Sequence, residues 1–65
     1  MKIIVNGEET TIASMSVYEY LHMMEIDPRP LAVELNKAIL SKKNYQTTML
    51  KESDRMEILW FVGGG

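Results

Sequence analysis

The sequence predicts an α+β domain in which one helix crosses a mixed sheet, and three observations carry that prediction. Asn6-Gly7 separates two short strand-like runs, and this dipeptide is a strong two-residue hairpin signal. Val17, Tyr20, Leu21 and Met24 recur at helical spacing behind Ser16-Val17-Tyr18-Glu19, which fits a capping box. Residues 31–35 and 55–61 alternate apolar and polar with a period of two, as half-buried strands do.

In chain order, residues 2–6 read as a strand with Ile3 and Val5 on one face, and residues 9–12 pair back against it. The helix then turns Val17, Leu21 and Met24 inward. It stops near Asp27, because a residue before proline is pushed out of the helical region and Pro28-Arg29-Pro30 cannot continue it. Leu31, Val33 and Leu35 face inward on the next strand, with Glu34 outward. Asn36-Lys37 turns that strand into a short one over residues 38–40, since Asn tolerates the left-handed conformation such turns need. Residues 41–46 are polar around Tyr45 as a single anchor and predict a short irregular or helical turn. Glu52-Ser53-Asp54 marks another turn before the last strand, where Met56, Ile58 and Trp60 point one way and Glu57, Leu59 and Phe61 the other. Strand, strand, helix, strand, short strand, strand is the order of a β-grasp domain, and periodicity alone leaves other α+β arrangements open. A strand leaving the first hairpin, crossing through a helix and returning parallel to its neighbour obeys the right-handed crossover rule.

With 65 residues the chain makes one domain, and at that size only about 60% of the unfolded surface is buried on folding. A core and a deep substrate pocket do not both fit, so a carrier or binding module is favoured over an independent enzyme. Cysteine is absent, which removes disulfides and thiolate metal sites and leaves no side chain able to carry sulfur. No metal-ligand cluster or phosphate-binding loop is present either. The net charge of −2 comes without a basic run beyond Lys42-Lys43, so nucleic acid is not an expected partner. The apolar run at residues 3–5 is far too short for a signal peptide or a membrane span, and a soluble cytoplasmic protein is expected.

The sequence finishes on Phe61-Val62-Gly63-Gly64-Gly65. Successive glycines cost conformational entropy and pack nothing. The expectation is a β-grasp domain over residues 1–61 followed by a flexible tail over 62–65. From Val62 onward such a tail reaches about 14 Å at ~3.3–3.6 Å per residue, enough to thread a narrow channel and present only a carboxylate. The reacting atom would be the terminal carbon of Gly65, with Gly63 and Gly64 as bare backbone behind it.

These residues resemble the ubiquitin-like sulfur-carrier family over nearly the whole chain, and its ThiS-type thiamin branch more than its MoaD-type molybdopterin branch. The resemblance is carried by Ile3-Ile4-Val5-Asn6-Gly7, by Ala32-Val33-Glu34-Leu35-Asn36, and by Asp54-Arg55-Met56-Glu57-Ile58 leading into Phe61-Val62-Gly63-Gly64-Gly65. The diglycine names only the superfamily; the Phe-Val-Gly-Gly-Gly ending and Val-Glu-Leu-Asn point to the ThiS type. Two departures stand out: Glu52-Ser53-Asp54, where the family more often has a turn glycine, and a large Trp60.

The resemblance implies a carrier that other enzymes act on. A free α-carboxyl has a reference pKa of about 3.3–3.7, so the terminus is a carboxylate and a poor electrophile at neutral pH. A ThiF-type enzyme, using its own ATP and magnesium, would convert Gly65 to an acyl-adenylate. A sulfur donor such as a cysteine desulfurase would then leave a thiocarboxylate, which a ThiG-type thiazole synthase would consume. No cofactor is expected on the chain itself.

Other features have plainer readings. His22 is the only histidine and lacks a second ligand or a nucleophile. Met24 and Met56 are expected in the core as gap-fillers, with Met23 exposed. Leu59 and Phe61, outward on the last strand, and Val62 beyond them are expected to touch a partner, since exposed apolar patches mark such sites. A MoaD-like subunit, or a β-grasp interaction module or protein modifier, remains open beside the thiamin-carrier reading.

Overall fold

A computed structural model describes residues 1–60, so Phe61 and the expected tail at 62–65 lie outside the described residues. The elements are β1 (Lys2–Val5), β2 (Glu8–Thr11), α1 (Val17–Met23), β3 (Leu31–Leu35), β4 (Ala38–Leu40), a single 3₁₀ turn (Lys42–Asn44) and β5 (Arg55–Trp60). They build one sheet of order β2-β1-β5-β3-β4, in which β1 and β5 are parallel and every other pair is antiparallel. This is the mixed sheet with one helix that the β-grasp order predicts.

Both tight hairpins use residues that accept left-handed backbone. Asn6 and Gly7 have φ of 48° and 86°, and Asn36 and Lys37 have 53° and 73°; positive φ at both central positions is what the favoured two-residue turn requires. The crossover differs from expectation. β3, entered from the helix, does not return beside the first hairpin, because β5 takes the place next to β1 and separates the two.

The capping box forms as read: Glu19 N donates to Ser16 Oγ at 3.0 Å, and Ser16 N donates to Glu19 Oε1 at 2.7 Å. The helix ends sooner than Pro28 requires. Glu25 takes φ of 59°, and paired bonds close the last turn, from Ile26 N to Leu21 O at 2.9 Å and from Glu25 N to His22 O at 3.0 Å. Hence Met24 is a cap residue, 51% exposed, and not a core residue. Its expected place beside Val17 and Leu21 is taken by Tyr20, which lies on the same face three residues after Val17.

The core gathers Ile3, Ile12, Leu31, Val33, Leu50, Met56 and Ile58 against that helix face, with Tyr45 anchoring the 3₁₀ segment as expected. Burial pushes the Tyr45 phenol pKa up; the Val33 backbone opposes this in part without reaching hydrogen-bonding geometry, and the hydroxyl has no partner among the described residues. Among the described residues, no helix is long and apolar enough to cross a membrane.

The turn before β5 holds Ser53 at φ of 71°, where a non-glycine residue costs about 1–2 kcal/mol. Ser53 is exposed, and its bond from N to Lys2 O at 2.7 Å uses backbone only. Ser53→Gly should therefore raise stability by about 0.5–1 kcal/mol after the added unfolded-state entropy of glycine is offset. Urea unfolding checks this, and an unchanged or lowered midpoint would contradict it.

Candidate functional site

β5 leads into the glycine segment, so its placement decides what that segment follows. It lies at the centre of the sheet, with Leu35↔Met56 through Leu31↔Trp60 in register on β3 and Ile4↔Arg55 and Val5↔Met56 on β1. The β1 pairing covers only these two residue pairs. Beyond them a side chain takes over, since Ile58 N donates to Asn6 Oδ1 at 2.7 Å. At the other end, Arg55 N donates to Asn36 Oδ1 at 2.9 Å while Asn36 Nδ2 donates to Asp54 Oδ1 at 3.0 Å. Asp54 Oδ2 also accepts from Lys51 N at 2.8 Å, which closes the preceding turn. Two asparagines placed by the hairpin turns thus clamp β5 from both sides.

The strand alternates as expected. Met56 and Ile58 are buried on the helix side, and Leu59 is 44% exposed on the opposite face. Across from Leu59 lies half-buried Ala32, and Glu34 pairs with both Glu57 and Ile39. Ile39 is 75% exposed. This outward face therefore offers Leu59, Ala32 and Ile39 with the carboxylates of Glu34 and Glu57 among them. Trp60 shares the parity of Met56 and Ile58, but it stands at the end of the sheet opposite Leu31 and is half exposed.

Among the residues expected to touch a partner or carry chemistry, the structure thus locates Leu59 on an exposed strand face. Phe61, Val62, Gly63, Gly64 and Gly65 lie outside the described residues. Ile39 joins this face without a clear signal in the sequence, because alternation alone reads a three-residue strand poorly. His22 stacks its ring on Tyr18, with centroids 6.3 Å apart and planes 13° apart, which accounts for it as a surface aromatic contact.

The model of the ThiS family matches residues 3–65. The chain is similar to the thiazole synthase of Paramagnetospirillum magneticum, 41% identical over 66 residues that take in all of this chain and 20% of that protein. It is similar in the same way to the thiazole synthase of Magnetococcus marinus, at 39% identity and again 20% of that protein. The chain therefore spans about one fifth of the length of these two relatives. A crystal structure of a thiamine biosynthesis protein (ThiS) from Geobacter metallireducens superposes with a TM-score of 0.86 at 33% identity, covering all of both chains.

Proposed function

Because the chain belongs to the ThiS family, we propose that it is a sulfur carrier of thiamin biosynthesis whose reactive group is the carboxylate of Gly65. The observation that carries this reading is the family match itself, which runs from the first strand through residue 65 and so includes the glycine segment. The chain is a co-substrate in this reading. A ThiF-type adenylating enzyme supplies ATP and magnesium, a cysteine desulfurase or similar donor supplies sulfur, and a ThiG-type thiazole synthase receives it. All of this takes place in the cytoplasm. Relatives named thiazole synthase that contain a region like this chain support the last of these partners, because a region shared within one polypeptide keeps carrier and consumer together.

Each step has a physical requirement. Adenylation converts the carboxylate to an acyl-adenylate with the release of pyrophosphate, and sulfide attacking the terminal carbon then expels adenylate to leave the thiocarboxylate. With a desulfurase persulfide as donor, the same attack gives an acyl disulfide, and a thiol reductant must cleave its S–S bond to free the thiocarboxylate. Glycines at 63 and 64 present bare backbone, so a partner channel that excludes side chains admits them. Incubating the chain with the activating enzyme, ATP and sulfide, then measuring intact mass, tests the reading. The expected gain is that of one oxygen replaced by one sulfur. A chain of unchanged mass, in a reaction that loads a known carrier, would refute it.

The docking surface in this proposal is the outward face of β5 at Leu59, with Phe61 and Val62, which follow in sequence beyond the described residues, as further contacts. Leu59 is exposed already, so a charge there is tolerated in the free domain, whereas burying it against a partner is costly. Leu59→Asp and Phe61→Asp should each weaken binding to the activating enzyme by about tenfold or more, the scale of a lost interface contact above ~1.4 kcal/mol. Titration calorimetry reads the affinity and thermal unfolding guards against loss of fold. Native affinity in both variants would remove this face from the interface.

A further inference from the structure

On the helix side of the sheet lies a cleft of about 540 Å³ that the sulfur-carrier reading does not use. It forms because backbone bonds draw residues 45–48 against the first turn of α1, from Val17 N to Thr48 O at 2.9 Å and from Tyr18 N to Tyr45 O at 3.0 Å. Tyr18, Tyr45 and Gln46 line it together with Pro28, Arg29, Lys42 and Lys43.

The charge there opposes that of the chain. Net charge is −2, yet three of the seven cationic side chains line this one cleft, and no carboxylate does. Arg29 is held by Asp27 through Nε to Oδ1 at 3.0 Å and Nη2 to Oδ2 at 2.7 Å. Lys42 Nζ donates to Arg29 O at 2.6 Å, which sets its charge beside the Pro28-Arg29 wall. Among the described residues, neither Lys42 nor Lys43 forms an ion pair, although the Asp27 carboxylate lies close enough to Lys42 to interact with it electrostatically, leaving a cleft with three cations against this one acidic neighbour. We propose that this cleft is a second docking surface, which takes an acidic segment of a partner protein.

A protein segment fits better than a small anion. The cations are on the surface, with the Arg29 side chain 88% exposed, and exposed charges steer and orient a large partner more than they capture a small one. Tyr18 and Pro28 add the aromatic and apolar area that interface cores favour. The cleft lies on the helix side of the sheet and Leu59 faces the other way, so both surfaces can be engaged together. This proposal does not depend on the chemistry at Gly65.

A backbone amide shift titration of the whole chain with a hexaglutamate peptide tests it, alongside a titration with inorganic phosphate. Saturating shifts should concentrate at Tyr18, Arg29, Lys42, Lys43 and Gln46. Lys42→Ala and Lys43→Ala should each raise the half-saturation concentration about two- to fivefold, the range that exposed charge pairs support. Asp27→Asn removes the competing charge while keeping an acceptor for Arg29 N, and should lower that concentration about twofold. Shifts spread equally over Lys2, Lys37 and Arg55, or indifferent to both lysine variants, would overturn the proposal. So would inorganic phosphate reproducing the same shifts at equal concentration, which would make this a small-anion site.

Discussion

Leu21→Ala is expected to destabilise the domain by about 2–5 kcal/mol, the cost of removing a buried leucine and leaving a cavity. Leu21 is only 1% exposed and sits with Val17 and Tyr20 on the face that α1 lays against the sheet. A helix of seven residues has no stability of its own in water, so packing through these three side chains and the Ser16–Glu19 cap hold it in place. The whole domain is worth on the order of 3–10 kcal/mol at ~0.05–0.15 kcal/mol per residue. Losing the three outer carbons of one leucine therefore removes a large share of the total. Met24→Ala, one turn on and exposed, should change stability by less than about 0.5 kcal/mol. Urea unfolding followed by far-ultraviolet circular dichroism measures both. Equal effects in the two variants would mean that the helix docks through a different face.

The contrast between Leu21 and Met24 also marks where the sequence stops being legible. Helical spacing places 17, 20, 21 and 24 on one stripe, but which of them is buried depends on where the helix ends. Pro28 supplies a latest stopping point. The actual end is set by Glu25 in left-handed conformation, and glutamate is not the glycine or asparagine that announces such a cap. The hairpins were legible because Asn6-Gly7 and Asn36 are local signals for local geometry. Their second role was not. Asn6 completes the ladder at Ile58 across 52 positions of sequence, and no reading of turn chemistry reaches that far without knowing that β5 sits beside β1. Strand order has the same character: alternation predicts a strand over residues 55–61 with Met56, Ile58 and Trp60 on one side, while its central position follows from long-range pairing alone. The exposed Leu59 was recoverable from alternation, and Ile39 beside Glu34 was not, because three residues are too few to establish a period.

Deleting Gly65, or adding one alanine after it, is expected to abolish adenylation and sulfur loading while leaving thermal stability nearly unchanged. The two halves of this expectation rest on different parts of the chain. Stability comes from the buried side chains that run from Ile3 to Ile58, none of them a glycine, and a glycine has no side chain to contribute to such a core. Chemistry requires one terminal carbon to meet a nucleophile and a leaving group in a partner's active site, where a displacement of about 1 Å can cost ~100-fold in rate. Removing or adding a whole residue shifts that carbon by about 3.3–3.6 Å. Gly64→Ala should also be damaging, for a steric reason: its methyl group must enter a channel shaped around bare backbone, and alanine resists the conformations that glycine adopts freely. Incubation with the activating enzyme, ATP and sulfide, sampled over time and read by intact mass, measures all three variants against the native chain. A deleted or extended chain that gains the thiocarboxylate mass as fast as the native one would show that Gly65 is not the acceptor. Loss of loading together with a lowered unfolding temperature would instead place the tail within the folded domain, against the separation of fold from chemistry proposed for this carrier.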